Sequence, residues 1–343
     1  MNSHTRTGAR NEKPPKKRRA LRITLISLAS LTAATLGLTL FTPYPVSYIT
    51  RKMFEKGITV YPEGYEAMRE RVTVIENLQY PSAHRYSTLD LYMPNSGGGA
   101  VPLVLWIHGG AFVGGDKGDI AVYATALASE GYAVACMNYE RAPEAKYPTP
   151  VIQTGEAYLW LLSASAEYGF DAGRLTLAGD SAGAHIAAQF AIIQGSAEYS
   201  EAMGIAPVIP AENIKAALLF CGPYSVSGIL EIEHPVLKFL LAKTAWAYFG
   251  ERAWTDGFSA QATIAGHVTA AFPPSFISDG NTASFEPHGR ELAEALEAHG
   301  VPTETYFIPV EEEVANHEYQ FIMNTPTGME SFRRTLEFLK KYA

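Results

Sequence analysis

The stretch Leu175–Ala188, LTLAGDSAGAHIAA, decides the fold. It begins as an apolar run typical of a buried strand, passes through Gly179, Ser181 and Gly183, and continues with a helical pattern. A serine at a sharp strand-to-helix turn needs small neighbours, because the strained backbone folds back on itself there. Such a turn exposes the hydroxyl at the carboxyl edge of a sheet and points the next helix at a developing oxyanion. The stretch therefore predicts a nucleophilic Ser181, with a simple helix-capping serine as the alternative.

The rest of the chain predicts a mostly parallel sheet covered by helices on both faces. From about residue 72, strand-like apolar runs alternate with helical patterns, which is typical of that architecture. Two early runs, RVTVIENLQY and STLDLYMP, are predicted to be antiparallel strands. The segment 222–270 inserts the aromatic stretch HPVLKFLLAKTAWAYFGE between two strands. Together with residues 44–70 it is a candidate lid over a pocket, and a structural helix pair is the alternative.

A glycine-rich turn precedes the serine. The stretch WIHGGAFVGGDKG ends a predicted strand with His108, Gly109 and Gly110. Consecutive glycines let backbone N–H groups turn inward, and acyl transfer needs two or three such donors aimed at the tetrahedral oxygen. We assign Gly109 and Gly110 to this oxyanion hole, completed by Ala182. His108 lies upstream of the nucleophile, so we interpret it as a residue that braces the loop.

The general base is predicted at His317, in VANHEYQF, which follows the last predicted strand and precedes the final helix. The order of the α/β-hydrolase fold is nucleophile, acid, histidine, and His317 occupies the third place. His185, His267 and His288 are rivals, but none of them lies on a late loop at the carboxyl edge of the sheet. The pattern therefore predicts an α/β-hydrolase fold in which His317 takes the proton of Ser181.

Five blocks of the chain resemble the hormone-sensitive-lipase-like esterases of the α/β-hydrolase superfamily. The blocks are LDLYMP, WIHGGAFVGGDK, NYERAPEAKYPTP, GFDAGRLTLAGDSAGAH and AAFPPSFISDGN, and the likeness covers about residues 85–343. The resemblance implies hydrolysis of small-molecule esters with short acyl chains, with neither metal nor cofactor. It also implies that Asp180 stabilises the turn around the nucleophile and is not the triad acid.

The triad acid is missing from its usual position. Relatives carry it three residues after the glycine that ends this strand, and Ala283 stands there. Two carboxylates flank the gap, Asp279 at the strand end and Glu286 beyond it. We predict Asp279, because a short side chain followed by the Gly280–Asn281 turn needs the least rearrangement to orient an imidazole. Glu286 precedes Pro287, so its alternative role is that of a helix N-cap.

Two other functions use the same residues. A formamidase-type amidase would act on an N-formyl or N-acyl bond with the same serine and histidine. A catalytically silent, membrane-tethered binding protein is the other, and the missing acid is the evidence for it. The natural acyl chain, the alcohol and the oligomeric state are left open by the sequence.

The amino terminus predicts a membrane anchor. Residues 1–22 hold eight Lys and Arg against one Glu, a net charge of +7. Because the whole chain has a net charge of −8, the remaining residues carry −15. The body of the protein is therefore acidic, which argues against nucleic-acid binding. Residues 23–42 carry no charge over a length that spans a bilayer. Basic residues on the amino side favour a cytoplasmic head, so residues 43–343 are predicted to form a catalytic domain on the non-cytoplasmic side of a single-pass anchor. A cleaved signal peptide, which would give a secreted enzyme, is the alternative.

Overall fold

The computed structural model describes residues 16–54, 57, 59–95, 99–226, 228, 235–250 and 260–343. The chain divides into two units, Met1–Pro45 and Val46–Ala343. Parts of the predicted basic head and of the candidate lid, at 1–15, 227, 229–234 and 251–259, lie outside the described residues.

An eight-stranded sheet forms the centre of the larger unit. Its strands are β1 (Val72–Gln79), β2 (Thr88–Pro94), β3 (Val101–Ile107), β4 (Ala133–Met137), β5 (Phe170–Asp180), β6 (Ile214–Phe220), β7 (Ser275–Asp279) and β8 (Thr303–Phe307). Their order is β1-β2-β4-β3-β5-β6-β7-β8. The strand β2 pairs antiparallel with β1 and β4, and every later pair is parallel. This arrangement confirms the predicted mostly parallel sheet and its antiparallel start.

Helices cover both faces of this sheet. In chain order, the helices of the described residues are α1 (Lys16–Phe41), α2 (Tyr44–Phe54), α3 (Tyr65–Glu70), α4 (Ala121–Ser129), α5 (Thr149–Tyr168), α6 (Ala182–Gly195), α7 (Ala197–Met203), α8 (Pro235–Phe249), α9 (Glu286–Ala298) and α10 (Pro326–Tyr342). One buried cluster joins the sheet to α5, α6 and α9, and the other joins it to α4 and α10. Successive residues of β3 alternate between the two, with Leu105 in the first and Trp106 in the second. That alternation follows from the two-residue repeat of a strand, so β3 is buried on both sides.

The helix α1 belongs to the smaller unit. Its segment Arg18–Phe41 has 24 residues and a mean hydropathy of 1.8, and its side chains are exposed. The hydroxyls of Thr24, Thr32 and Thr35 donate to carbonyls four residues earlier, at 3.1, 2.9 and 2.9 Å. Hydroxyls satisfied inside the helix are compatible with hydrocarbon surroundings. Length and composition fit a membrane anchor and equally a signal sequence.

The helix α2 is fixed to the loop after β3 by Arg51. Its guanidinium donates to the carbonyl oxygen of Val113 at 2.6 Å and to that of Ala142 at 2.9 Å. It also forms an ion pair with Glu144 at 2.6 Å. Three bonded groups hold one side chain, so the helix has a defined orientation on the larger unit.

Candidate active site

The turn between β5 and α6 holds Ser181 in a strained backbone conformation, with φ 50° and ψ −120°. The tight packing of the turn explains the neighbouring glycines. A Cβ on Gly183 would lie 1.9 Å from the carbonyl oxygen of Ile107, and one on Gly179 would lie 2.5 Å from the carbonyl of Gly183. Strain of this kind persists where the surroundings fix the backbone, and it is frequent at catalytic residues.

The histidine lies where the sequence predicts it. His317 is on the loop between β8 and α10, and its Nε2 is 3.0 Å from Ser181 Oγ. Nε2 can accept the serine proton only if the ring hydrogen is on Nδ1. The backbone after His317 is itself unusual, because Glu318 has φ 61° and its N–H donates to Cys221 Sγ at 3.3 Å.

The predicted acid does not contact the histidine directly. Asp279 ends β7, and its Oδ1 accepts a hydrogen bond from Ser284 Oγ. Ser284 Oγ in turn lies 2.7 Å from His317 Nδ1. The short side chain of Asp279 therefore reaches the imidazole through one hydroxyl, which differs from the direct contact that the sequence predicted.

The other two positions considered for the acid have different surroundings. Ala283, where relatives carry the acid, has φ 50° and lines the same cavity as Ser181 and His317. Glu286 is the first residue of α9 and forms an ion pair with Arg290 at 2.6 Å. The helix N-cap is Phe285, so Glu286 has neither of the two roles considered from the sequence.

Burial sets the ionisation of this group of residues. Desolvation raises the pKa of Asp279 to about 7, although the hydrogen bond from Ser284 favours the charged form. Desolvation also lowers the pKa of His317 below its ordinary value, which keeps the imidazole neutral and able to accept a proton.

The oxyanion loop differs from the prediction at Gly109. The N–H of Gly109 donates to Asp180 Oδ2 at 2.8 Å, while Trp106 Nε1 donates to Oδ1 at 2.8 Å. That N–H is therefore engaged, and Asp180 makes the bracing contacts that the resemblance implied. Within the described ranges, no hydrogen-bond acceptor is assigned to the N–H groups of Gly110, Ala111 and Ala182. On the oxyanion loop, the N–H groups that remain available among the described contacts are therefore those of Gly110 and Ala111, one residue later than the predicted pair Gly109–Gly110.

The other four histidines considered from the sequence have structural contacts. His108 is buried, stacks on Tyr139 at 4.4 Å, and has Nδ1 2.7 Å from the carbonyl oxygen of Gly109. His185 Nε2 lies 2.7 Å from the carbonyl oxygen of Ala262, and His288 Nδ1 accepts the N–H of Ser225. His267 packs against Tyr199 and has Nε2 3.3 Å from the carbonyl oxygen of Ala260.

An apolar cavity of about 120 Å³ opens beside the serine. Its lining comprises Phe54, Ala111, Phe112, Ser181, Ala182, Pro223, Leu237, Leu241, Thr244, Ala245, Ala283, Ser284, Phe285 and His317. The helix α8 supplies four of these residues and α2 supplies Phe54. Both segments considered as a lid therefore contribute to the wall of the cavity.

A second cavity, of about 150 Å³, lies behind the oxyanion loop. Asp119, Asp180 and Glu318 contribute carboxyl groups to its lining, and Phe54 borders both cavities. Desolvation raises the pKa of Asp180 to about 7 and that of Glu318 well above its ordinary value. Glu318 Oε1 is 3.7 Å from His317 Nε2, so this carboxyl group is close enough to influence a protonated imidazole.

One group of side chains has the ligand types of a metal site. Single ligand atoms of Cys221, Asp279 and His317 lie within 4.8 Å of one another. Metal binding needs a thiolate, and burial raises the pKa of Cys221 well above its ordinary value. Ser284 already bridges the carboxylate and the imidazole. The donor set therefore fits a proton relay better than a metal site.

The parallel sheet, the strained serine after β5 and the histidine 3.0 Å from its hydroxyl define an α/β-hydrolase. The chain belongs to the BD-FAE family, whose sequence profile matches residues 89–292. These results confirm the predicted fold and the predicted likeness to hormone-sensitive-lipase-like esterases.

Curated relatives match parts of the chain. It is 34% identical over 146 residues to the probable isoprenylcysteine alpha-carbonyl methylesterase ICMEL1 of Oryza sativa subsp. japonica, which covers 43% of this chain and 34% of that protein. It is 29% identical over 213 residues to the esterase LipI of Mycobacterium tuberculosis, covering 60% of this chain and 62% of that protein. The chain thus matches between about a third and three fifths of the length of these two relatives.

A solved structure extends the likeness in fold. The esterase B of Lactobacillus rhamnosis is 24% identical and superposes with a TM-score of 0.71, covering 90% of this chain and 95% of that chain. At this identity the likeness shows the fold alone.

Two site residues were missed by sequence reasoning. Ala111 directly follows the two glycines, and an assignment of the donors one residue later along the loop would have included it. Ser284 follows the position of the missing acid, so a hydroxyl beside Ala283 was the available signal. Neither residue type is distinctive without the loop geometry.

Proposed function

We propose that the protein is a serine esterase that cleaves carboxylic esters of short acyl chains through an acyl-enzyme intermediate. One observation carries the proposal: an unbroken hydrogen-bonded series runs from Ser181 through His317 and Ser284 to Asp279 beside an apolar cavity. Serine hydrolases need such a series to activate a hydroxyl that is a weak nucleophile by itself.

The mechanism follows from these contacts. His317 Nε2 takes the proton of Ser181 while Oγ forms a bond to the ester carbonyl carbon. The N–H groups of Gly110, Ala111 and Ala182 bind the resulting oxyanion. The imidazolium returns the proton to the departing alcohol as the ester bond breaks. Water, activated by the same imidazole, then hydrolyses the acyl-enzyme and frees the carboxylic acid.

Ser284 keeps the imidazole in the reactive tautomer. Nδ1–H of His317 donates to Ser284 Oγ, and the hydroxyl of Ser284 donates to Asp279. The series has one consistent direction, so it holds Nε2 unprotonated before the reaction. Because the charge of Asp279 is one hydroxyl further away, its attraction to the imidazolium is weaker than in direct contact.

The walls of the apolar cavity favour short acyl chains. Phe112 stacks on the buried ring of Tyr248 at 4.1 Å, which places a paired aromatic wall at the cavity. Thr244 and Ala245 are also buried within α8. A rigid wall of this kind limits chain length, so we expect acetate and butyrate esters to turn over faster than long-chain esters.

The test uses wild-type protein and Ser181→Ala. We expect a fluorophosphonate probe to label the wild type alone, and p-nitrophenyl acetate and butyrate to be hydrolysed by the wild type alone. Faster turnover of long-chain esters would contradict the proposed acyl preference. Faster turnover of N-acyl anilides than of matched esters would favour the amidase, and an unlabelled wild type would favour the silent binding protein.

We also propose that α1 anchors the protein in a membrane as a single-pass signal anchor. Residues 1–22 would remain cytoplasmic and residues 43–343 would form the catalytic domain on the other side. The uncharged stretch 23–42 and the basic residues before it support this orientation. Detection of a mature chain that lacks α1 would favour the secreted alternative.

A further inference from the structure

The outward face of α2 is apolar. Val46, Ser47 and Thr50 are buried on one side of this helix. On the other side Ile49 is 55% exposed and Met53 is 66% exposed. An amphipathic helix normally buries its apolar residues, so solvent-facing apolar side chains on a fixed helix indicate a surface that another phase or molecule covers.

The first half of α8 repeats this pattern. Val236 is 60% exposed and Phe239 is 45% exposed, whereas Leu237 and Leu241 line the apolar cavity. Phe54, at the end of α2, lines the same cavity. The two helices therefore border one cavity, and each directs further apolar side chains outward. We call the outward residues Tyr48, Ile49, Met53, Val236 and Phe239 the apolar rim.

Lysines accompany the aromatic residues of the apolar rim. Lys52 Nζ lies 5.7 Å from the ring of Tyr48, and Lys243 Nζ lies 5.8 Å from the ring of Phe239 and 4.5 Å from that of Trp246. Aromatic and amine side chains together are characteristic of the membrane–water interface, where the ring contacts lipid and the amine reaches headgroups.

The chain connects the apolar rim to one particular partner. Three peptide units join Phe41, the last residue of α1, to Tyr44, the first residue of α2. They span at most about 11 Å. If α1 crosses a bilayer, the covalent chain keeps the start of α2 near the surface of that bilayer. A second copy of the chain or another protein has no comparable tether.

From these observations we propose that the apolar rim docks on the membrane surface, so that the apolar cavity takes its ester from the bilayer. The substrate class is an amphiphilic ester, with a short acyl group that enters the cavity and a lipophilic alcohol part that stays in the lipid. This substrate class rests on the proposed esterase function and on α1 as the anchor. Docking itself requires only the anchor and the rim.

Docking is tested with the full chain in vesicles of phosphatidylcholine and phosphatidylglycerol. Ile49→Cys is labelled with bimane, and Leu159→Cys on α5, where Leu159 is 46% exposed, is the matched control. The native Cys136 and Cys221 are buried and should stay unlabelled. We expect phospholipids brominated in the acyl chain to quench the fluorescence of bimane at position 49 and to leave the fluorescence of bimane at position 159 unchanged. Unquenched bimane at 49, or equal quenching at both positions, would overturn the proposal.

The substrate class is tested with Ile49→Glu in the same vesicles. We expect hydrolysis of bilayer-dissolved hexadecyl butyrate to fall about tenfold, because a charge replaces an apolar contact with lipid. Hydrolysis of water-soluble p-nitrophenyl butyrate should be unchanged, and Leu159→Glu should affect neither ester. Equal rates of Ile49→Glu and wild type on hexadecyl butyrate would refute the bilayer route. If the wild-type protein hydrolyses neither ester, the esterase function is refuted instead. The quenching result would still decide whether the rim docks on the membrane.

Discussion

Ser284 Oγ lies 2.7 Å from His317 Nδ1 and at the same time donates a hydrogen bond to Asp279. One hydroxyl thus occupies the place beside the imidazole that a carboxylate takes in an ordinary triad. The catalytic role that we propose for Asp279 therefore depends on a residue that cannot ionise under physiological conditions, and this dependence can be tested residue by residue.

Ser284→Ala should lower kcat by about 10²-fold with little change in KM. The substitution removes the hydrogen-bond partner of His317 Nδ1, so the imidazole is no longer held in one tautomer. Steady-state kinetics on p-nitrophenyl butyrate measures both constants. Ser284→Thr retains a hydroxyl and is the control. An unchanged kcat in Ser284→Ala would show that the contact has no role in proton transfer.

Ala283→Asp in the Ser284→Ala background should recover part of the lost kcat. The position lines the cavity beside His317, and its left-handed backbone suits an aspartate better than an alanine. Kinetics of the single and double variants gives the recovery. No gain would mean that an aspartate at 283 cannot reach the imidazole in this loop.

Asp279→Asn should reduce kcat by orders of magnitude and preserve the fold, because the amide keeps the shape and loses the charge. Glu286→Gln removes a carboxylate from the same loop region, but that carboxylate pairs with Arg290, so its kcat should match the wild type. The reverse pattern would move the acid to Glu286. Near-UV circular dichroism verifies that both variants remain folded.

The pH profile of kcat/KM should fall as the pH drops through about 7. Desolvation raises the pKa of Asp279 to that value, so below it the neutral acid no longer stabilises the imidazolium. Lowering of the pKa of His317 keeps the imidazole neutral in this range. The fall should disappear in Asp279→Asn. If it persists there, Asp180, whose pKa is also raised to about 7, becomes the group to test.

Deletion of residues 1–42 should leave an active enzyme that high salt alone detaches from the membrane fraction. The full chain should resist high salt and require detergent, because a spanning helix binds far more strongly than an interfacial contact. Sedimentation followed by an activity assay of each fraction makes the comparison. Full-length protein removed by salt alone would rule out the anchor.

The parts of the site that depend on a local turn or on the chain order of the fold could be predicted from the sequence. Ser181 and its glycines form one local turn, and His317 follows from the chain order of the fold. The acid relay could not be predicted, because it depends on the course of the loop that brings Ser284 between Asp279 and His317. The prediction for the oxyanion loop was wrong at Gly109 for a similar reason. Asp180, from another strand, accepts a hydrogen bond from the N–H of Gly109, and no local sequence pattern encodes that contact.

The ion pair and carbonyl contacts of Arg51 also affect the kinetics that such an enzyme should show. They fix α2 to the loop that carries the oxyanion donors, and three peptide units join that helix to α1. With α1 as the proposed anchor, a catalytic domain held this way would search for substrate in two dimensions, within the plane of its own bilayer. Its rate should then follow the mole fraction of ester among the surrounding lipids, and dilution of the vesicle suspension with buffer should leave the turnover of each enzyme molecule unchanged.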